Sequence, residues 1–100
     1  MRCWITYDLG LQANYEKLYE WLDENQAEEC GDSAATLATN KDVEQIRREL
    51  KQIMDDRARV NLIYKGADGK FTGKFIIGKR RRAPWTGYAS LEAAEDKAEA

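Results

Sequence analysis

Asp8 is the residue in this chain with the clearest potential for chemistry. It ends a predicted strand and stands just before a turn that contains Gly10. Carboxylates are the ligands that hard divalent cations prefer, but one carboxylate does not hold such an ion without further oxygen ligands. The simpler interpretation is an aspartate that hydrogen-bonds to the backbone of its own turn. The sequence leaves both interpretations open.

The chain contains no histidine. This excludes the usual general base, a Ser-His-Asp triad and histidine zinc ligands. Any catalysis would rest on carboxylates, on a hydroxyl, or on a bound hard cation such as Mg²⁺. Ser33 follows Asp32 in a predicted turn, and a serine there needs no role beyond that of a turn residue. Cys3 and Cys30 are too few for a disulfide framework and are interpreted as small apolar residues.

Positive charge is concentrated toward the C-terminal end. Residues 70–91 contain six basic residues and no acidic one, although the net charge of the whole chain is -2. Four cations are consecutive, with Trp85 and Tyr88 close behind: Lys79, Arg80, Arg81 and Arg82. Clustered cations gain affinity for nucleic acid by releasing counterions, and neighbouring aromatic side chains stack on unpaired bases. The alternatives are a solvated loop or a partner for the acidic residues 92–100, with the two aromatic residues covering an open sheet face.

Patterns of apolar residues predict the elements that position these groups. Strands are predicted where aromatic and β-branched residues dominate or alternate with polar ones. Helices are predicted where apolar residues recur at helical spacing behind a cap, which is Asn14 for the first helix and Asp42 with Gln45 for the second. Gly31-Asp32 predicts a tight hairpin. The predicted strands cover 2–9, 27–30, 33–39, 59–65 and 70–77, and the helices run over 15–25 and from Asp42 to Asp55-Asp56.

This order of elements predicts an α+β fold, a ferredoxin-like βαββαβ sandwich whose antiparallel sheet carries two helices on one face and an extra C-terminal strand. The predicted domain covers residues 1–78, and residues 79–100 are a basic segment followed by an acidic tail. Two helices cover only one face of such a sheet, so the other face must meet water, a second chain or the C-terminal segment. This uncovered face is the physical reason to expect a homodimer.

No apolar run approaches the roughly 20 residues that a membrane-spanning helix needs. The first residues turn polar by Tyr7-Asp8 and lack the apolar region of a signal peptide. We therefore expect no membrane partner and a cytoplasmic location, in which both cysteines stay reduced.

The segment Trp4-Ile5-Thr6-Tyr7-Asp8-Leu9 resembles the first strand of Cas2-like proteins, which typically ends in an aliphatic residue, a variable residue, and then Tyr-Asp. The similarity covers roughly residues 2–65 and continues through Tyr15 and Leu18, Asp32-Ser33, Ile46-Arg47, Asp55-Asp56 and the strand from Val60 to Tyr64. Cas2-like proteins include CRISPR adaptation subunits and stand-alone relatives, and the chain is more similar to the stand-alone kind.

The resemblance implies a homodimer in which the Asp8 residues of two protomers lie across the dimer axis and hold Mg²⁺. Ser33 would lie near that metal and contact a phosphate or a water. Asp8 and Ser33 would then be the catalytic residues of a metal-dependent endonuclease acting on RNA or DNA. The chain departs from the family at Ala34-Ala35, where an aromatic residue often follows the hairpin serine, and after Lys65. These departures bear on the activity and on the last strand, which closes the dimer in the family.

Other functions are compatible with the same fold. Because the chain has no histidine and one candidate carboxylate, it is also interpreted as a non-enzymatic protein-interaction or regulatory module, such as a phage- or plasmid-borne regulator or inhibitor. A third hypothesis is a regulatory domain that binds a small molecule between two sheets, although no glycine-rich phosphate loop favours it. Fold alone does not decide among these functions.

Overall fold

The computed structural model describes residues 1–10 and 14–90, so the predicted acidic tail lies outside the described residues. The described residues form β1 (Arg2–Asp8), α1 (Glu16–Glu24), β2 (Glu28–Glu29), β3 (Ala34–Ala38), α2 (Val43–Lys51), β4 (Arg59–Lys65) and β5 (Phe71–Ile77). Residues 88–90 are also helical. In this part of the chain, no helix has the length and apolar character needed to cross a bilayer.

The five strands form one antiparallel sheet in the order β2-β3-β1-β4-β5. β1 is central, with β3 on one side and β4 on the other, and Asp8 at the end of β1 stands opposite Arg59 at the start of β4. The hairpins β2–β3 and β4–β5 form the two edges. The prediction of an α+β fold with an antiparallel sheet and an extra strand after the second helix is confirmed.

Alternate residues of the strands form the core with the two helices. The buried residues of β1, β3 and β4 are Cys3, Ile5, Ala35, Leu37, Val60 and Leu62. The helix residues in the same cluster are Leu18, Trp21, Leu22, Ile46 and Leu50. The residues between the buried strand positions, such as Trp4, Thr6 and Asn61, are half-buried or exposed. The helices therefore cover one face of the sheet, and we call the other one the open face.

A polar network joins α1 to α2. Trp21 Nε1 donates a hydrogen bond to Glu49 Oε1 at 3.0 Å, and Lys41 Nζ lies 2.7 Å from the same oxygen. Lys41 also donates to Asn25 Oδ1 at 2.8 Å, just beyond the end of α1. The hydrogen bond from Lys41 lowers the pKa of Glu49, although partial desolvation opposes it. The charged form of Glu49 thus stabilises the side-by-side packing of the helices.

The predicted start of the second helix agrees with the structure, whereas the first helix begins one residue later than predicted, at Glu16 with Tyr15 as its N-cap residue. Asn14 Oδ1 accepts the N–H of Glu16 at 2.9 Å, and Asp42 Oδ1 accepts the N–H of Gln45 at 2.8 Å. Each bond satisfies an N–H group that has no partner within the helix.

The second helix ends earlier than its apolar spacing predicts. The spacing indicates a helix that reaches Asp55-Asp56, but α2 ends at Lys51. The N–H of Ile53 donates to the carbonyl of Leu50 at 3.1 Å, so the chain tightens into a turn. Ile53 still packs against the core from this turn, which is why the apolar spacing continues beyond the helix.

β5 contains an irregularity that its alternating sequence does not indicate. The alternation predicts one common face for Phe71, Gly73, Phe75 and Ile77. In the structure Phe75 pairs with Asn61 and Ile77 with Val60, so Ile76 is the extra residue of a β-bulge. Ile76 and Ile77 are both buried as a result, whereas Phe75 lies on the open face beside Asn61. The prediction that these four residues share a face is therefore wrong for Ile77.

Gly78 offers a test of how the end of β5 is held. Its φ is +74°, and a Cβ at this position would lie 2.8 Å from the carbonyl oxygen of Ala58. An alanine in the left-handed conformation costs about 1–2 kcal/mol. We expect Gly78→Ala to lower the free energy of unfolding by more than this, because the close contact with the backbone of Ala58 adds to the strain. Urea unfolding of both proteins measures the difference.

Gly69→Ala is the matched control, because Gly69 has φ +81° and open space around the position of a Cβ. It should show the conformational strain alone. Equal losses of stability in the two variants would contradict the close packing of Gly78 on Ala58.

Candidate nucleic-acid interface

Asp8 lies on the open face at the end of β1, and both of its carboxylate oxygens have partners in the same chain. Oδ1 accepts the N–H of Gly10 at 3.1 Å, which stabilises the turn after the strand. Oδ2 lies 3.5 Å from Nη2 of Arg59, and half of the Asp8 side chain is exposed. These contacts agree with the simpler interpretation of Asp8 as a turn-stabilising residue.

The β2–β3 hairpin places Ser33 close to Asp8. Ser33 has a φ of 58°, and its carbonyl accepts the N–H of Tyr7 at 3.0 Å, which fixes the hairpin turn against the end of β1. Asp8, Asp32 and Ser33 line one shallow cleft of about 300 Å³, which we call the Asp8 cleft. The structure thus brings together the two residues that the sequence indicates as candidate catalytic groups.

The Asp8 cleft of one chain offers few oxygen ligands for a metal ion. Among residues 1–10 and 14–90, no group of three or more His, Cys, Asp or Glu side chains is placed to share an ion. The guanidinium of Arg59 also competes with any cation for Oδ2 of Asp8. In a single chain Asp8 thus offers a metal ion one carboxylate that is already paired with Arg59, and the further oxygen ligands that Mg²⁺ needs would come from water, from a phosphate or from a second copy.

A second groove lies between the open face and the basic segment. The sheet contributes Arg59, Asn61 and Phe75, and the chain after Gly78 contributes Arg80, Arg81, Arg82, Ala83, Pro84 and Trp85. The groove has a volume of about 630 Å³. We call it the arginine groove. The structure therefore places four of the five residues predicted to contact nucleic acid along one concave surface. The fifth, Lys79, lines an adjoining cleft together with Arg57.

The arginine groove is strongly positive. Arg80, Arg81 and Arg82 are exposed, and among the residues that the structure describes no acidic side chain lies within ion-pair distance of them. Trp85 beside them is 72 % exposed. Guanidinium groups bind phosphates and carboxylates through paired, geometrically matched hydrogen bonds, so the groove has the chemistry to bind an anion.

The three sheet residues of the arginine groove were not among the residues predicted to contact nucleic acid: Arg59, Asn61 and Phe75. The guanidinium carbon of Arg59 lies 5.9 Å from the ring centre of Phe75, a cation–π contact. Nε of Arg59 is buried without a hydrogen-bond partner among the described residues. Arg59 borders both the Asp8 cleft and the arginine groove. The alternation of apolar and polar residues in β4 predicts that Arg59 lies on the face opposite the buried Val60. The sequence does not indicate which side chains of other strands lie beside Arg59.

The open face carries a second cluster at its other end. The rings of Trp4 and Phe71 meet edge to face with centroids 5.9 Å apart, and Phe71 is 65 % exposed. Ile63 pairs with Trp4 on one side and with Gly73 on the other, and Phe71 is the next residue of β5 on the same face as Gly73. We call Trp4, Ile63 and Phe71 the aromatic patch. Exposed clusters of this kind mark interaction surfaces more often than isolated apolar residues do.

Comparisons with known proteins identify no relative: no protein-family model, no curated protein and no solved structure matches the chain. The resemblance to Cas2-like proteins therefore rests on the sequence segments quoted above and stays a prediction. What the chain does has to be inferred from the Asp8 cleft, the arginine groove and the aromatic patch.

Proposed function

We propose that the chain is a nucleic-acid-binding protein that acts as a homodimer, with the arginine groove as its binding site. One observation supports this function above the others. The consecutive arginines after β5 do not extend away from the domain, but line a groove whose opposite side is formed by Arg59, Asn61 and Phe75 of the sheet. Cations, an aromatic ring and an amide are the three kinds of group that proteins combine to bind nucleic acid.

We also propose that the fold is ferredoxin-like and related to that of Cas2-like proteins. The strand order β2-β3-β1-β4 supports this, because β1-α1-β2 and β3-α2-β4 then form two interleaved βαβ units in one antiparallel sheet. β5 extends the sheet beyond β4 and leads into the basic segment. In this fold the residues of the open face are available for a ligand or for a second copy.

The charge of the groove accounts for affinity, and its aromatic residues account for a preference among nucleic acids. Each cation that neutralises a phosphate releases counterions, so binding weakens as salt concentration rises. Base stacking on an aromatic side chain contributes about 1–3 kcal/mol per base. Arg59 gives the groove a further cation that is fixed to the sheet by its contacts with Asp8 and Phe75.

A charge-reducing variant tests the arginine groove directly. We expect the triple substitution of Arg80, Arg81 and Arg82 by alanine to weaken binding of a labelled oligonucleotide at low salt. The plot of log K against log salt has a negative slope, and the magnitude of that slope should decrease by about 2. Each lost phosphate contact with a single strand reduces the magnitude by about 0.7. Fluorescence anisotropy over a series of salt concentrations measures both quantities.

The control is a triple alanine variant at Lys17, Arg48 and Lys51, which are exposed on the helices away from the groove. It removes the same charge and should leave most of the affinity and the salt slope in place. Equal losses in the two variants would show that net charge alone drives binding and would reject the groove as the site.

For the homodimer, we propose that a second copy covers the aromatic patch. The ring of Phe71 is exposed and that of Trp4 beside it is half-buried, and removing such rings from water is favourable in proportion to the area buried. The patch lies at the opposite end of β5 from Phe75, so a dimer formed there leaves the arginine groove open.

Size-exclusion chromatography with light scattering should give twice the chain mass of 11.5 kDa. Phe71→Lys should shift the equilibrium toward the monomer by at least about tenfold, because it places a charge in an apolar contact. Tyr19→Lys, at another exposed aromatic residue on α1, should leave the dimer intact. A wild-type protein that stays monomeric at all concentrations would rule out the dimer.

A second candidate function is cleavage of the bound strand by a metal-dependent endonuclease. It is favoured by the meeting of Asp8, Asp32 and Ser33 in one cleft beside the arginine groove. In this candidate Asp8 and Ser33 are the catalytic residues and Mg²⁺ is the cofactor. For the Asp8 carboxylates of two copies to share the ion, the dimer axis would have to lie near Asp8 instead of the aromatic patch.

Incubation of labelled RNA and DNA with the purified protein, in Mg²⁺ or in EDTA, tests this candidate. It requires cleavage that depends on Mg²⁺, that Asp8→Asn abolishes, and that Asp68→Asn leaves unchanged. Asp68 is a matched control because its Oδ1 likewise accepts a backbone N–H two residues on, from Lys70 at 3.0 Å. Cleavage that persists in EDTA or in Asp8→Asn would come from another source.

The alternative to nucleic-acid binding is a non-enzymatic protein-interaction or regulatory module. The aromatic patch supports it, because its exposed rings suit a protein partner as well as a second copy. In this case an acidic protein surface would occupy the arginine groove. Failure of the wild-type protein to bind any nucleic acid at low salt would favour this alternative over the first proposal.

A further inference from the structure

The side of the arginine groove formed by the sheet is suited to a flat ligand. Asn61 and Phe75 are cross-strand partners, so their side chains stand next to each other on the open face. The next residue on that face of β5 is Gly73, and the Asn61 amide lies beside it: Oδ1 would be 3.8 Å from a Cβ at Gly73. The absence of a side chain at Gly73 leaves the amide accessible. The sheet thus presents an aromatic ring with a hydrogen-bonding group at its edge.

The amide of Asn61 also has its hydrogen-bonding capacity available. None of the side-chain hydrogen bonds within residues 1–10 and 14–90 uses it. An asparagine amide offers both a donor and an acceptor, which is the combination found along the edges of nucleobases. Asn61 therefore has the chemistry to contact the edge of a base that lies against Phe75.

The facing side of the groove holds Trp85 in a defined turn. The N–H of Thr86 donates to the carbonyl of Ala83 at 3.1 Å, and the N–H of Tyr88 donates to the carbonyl of Trp85 at 3.0 Å. Pro84 precedes Trp85 and restricts the backbone further. An aromatic ring that is exposed but carried on an ordered turn loses little conformational freedom when a ligand stacks on it.

We infer that the arginine groove is a site for an unpaired nucleotide, so that the protein selects single-stranded over double-stranded nucleic acid. Phe75 and Trp85 provide faces on which the base stacks, Asn61 contacts its edge, and Arg80, Arg81 and Arg82 bind the phosphates on either side. This inference rests on the proposed nucleic-acid binding and names its substrate class.

The preference for a single strand follows from which groups of a nucleic acid stay accessible in a duplex. In a duplex the faces of each base are already stacked on its neighbours and the pairing edges are occupied, so the rings gain no stacking partner and the pairing edge is closed to the Asn61 amide. The phosphates remain, and they reach the exposed arginines in either form. A groove of about 630 Å³ also has the size of a site for a small molecule, not of a surface that follows a double helix.

The test compares four labelled ligands of one sequence: single-stranded RNA, single-stranded DNA and the two corresponding duplexes. Fluorescence anisotropy at low salt should give at least about tenfold tighter binding of a single strand, RNA or DNA, than of its duplex, in line with the stacking of one base. The double variant Phe75→Leu with Trp85→Leu should lose this difference while its affinity for duplex and its salt slope stay unchanged. Asn61→Ala should weaken single-strand binding severalfold and leave duplex binding unchanged.

Leucine keeps the substituted positions apolar, and urea unfolding verifies that the variants are folded. Tyr88→Leu is the control, because Tyr88 is exposed in the same segment but does not line the groove, and it should bind as the wild type does. Equal affinity for single strand and duplex, or equal losses of both in the double variant, would overturn the inference and leave nucleic-acid binding itself in place. No binding of any of the four ligands would instead overturn the proposed function.

Discussion

The burial of a single face of the sheet is the constraint on which the rest of the structure depends. Cys3, Ile5, Val60 and Leu62 are fully buried beneath the helices, and each large apolar side chain of this kind contributes about 1.5–3 kcal/mol. Because side chains alternate along a strand, a register shift of one residue would expose all of them. The core therefore fixes which residues stand on the open face.

The arginine groove is a consequence of the way in which β5, the last strand of the sheet, ends. The bulge in β5 turns both Ile76 and Ile77 into the core, and Gly78 then takes a conformation that few other residues adopt. The chain leaves the sheet directly over Ala58 and Arg59, and the arginines that follow come to lie beside the open face. A basic run is common in proteins, but here the packing of the last strand places it opposite an aromatic ring and an amide.

Much of the fold could be predicted from the sequence, because local signals determine it. The hydrogen bond at Asn14 just before α1, the cap at Asp42 and the alternation in β1 and β4 depend on neighbouring residues alone. The early end of α2 and the bulge in β5 were missed because apolar residues serve the core equally well from a turn or a bulge. Spacing reports that a side chain is buried, but not which backbone conformation buries it.

The candidate site was predictable only in part, for a related reason. The arginines and Trp85 are conspicuous as a run, and Asp8 as a strand-end carboxylate. Strand pairing between distant parts of the chain brings together Arg59, Asn61 and Phe75. The sequence alone does not show this pairing. Without the register that sets Asp8 opposite Arg59, the partner of the carboxylate could not be named.

Arg59 connects the two possible activities and sets them in competition. An uncompensated carboxylate beside the arginine groove would repel phosphate, and the guanidinium 3.5 Å from Oδ2 of Asp8 offsets that charge. The same contact opposes a metal ion at Asp8, since a cation could reach Oδ2 only by displacing another cation. If the arginine groove binds nucleic acid as proposed, the pairing of Asp8 with Arg59 suits that binding better than it suits metal-dependent cleavage. The proposed cleavage would be favoured by a second copy that drew Arg59 away from Asp8 and toward the bound phosphates.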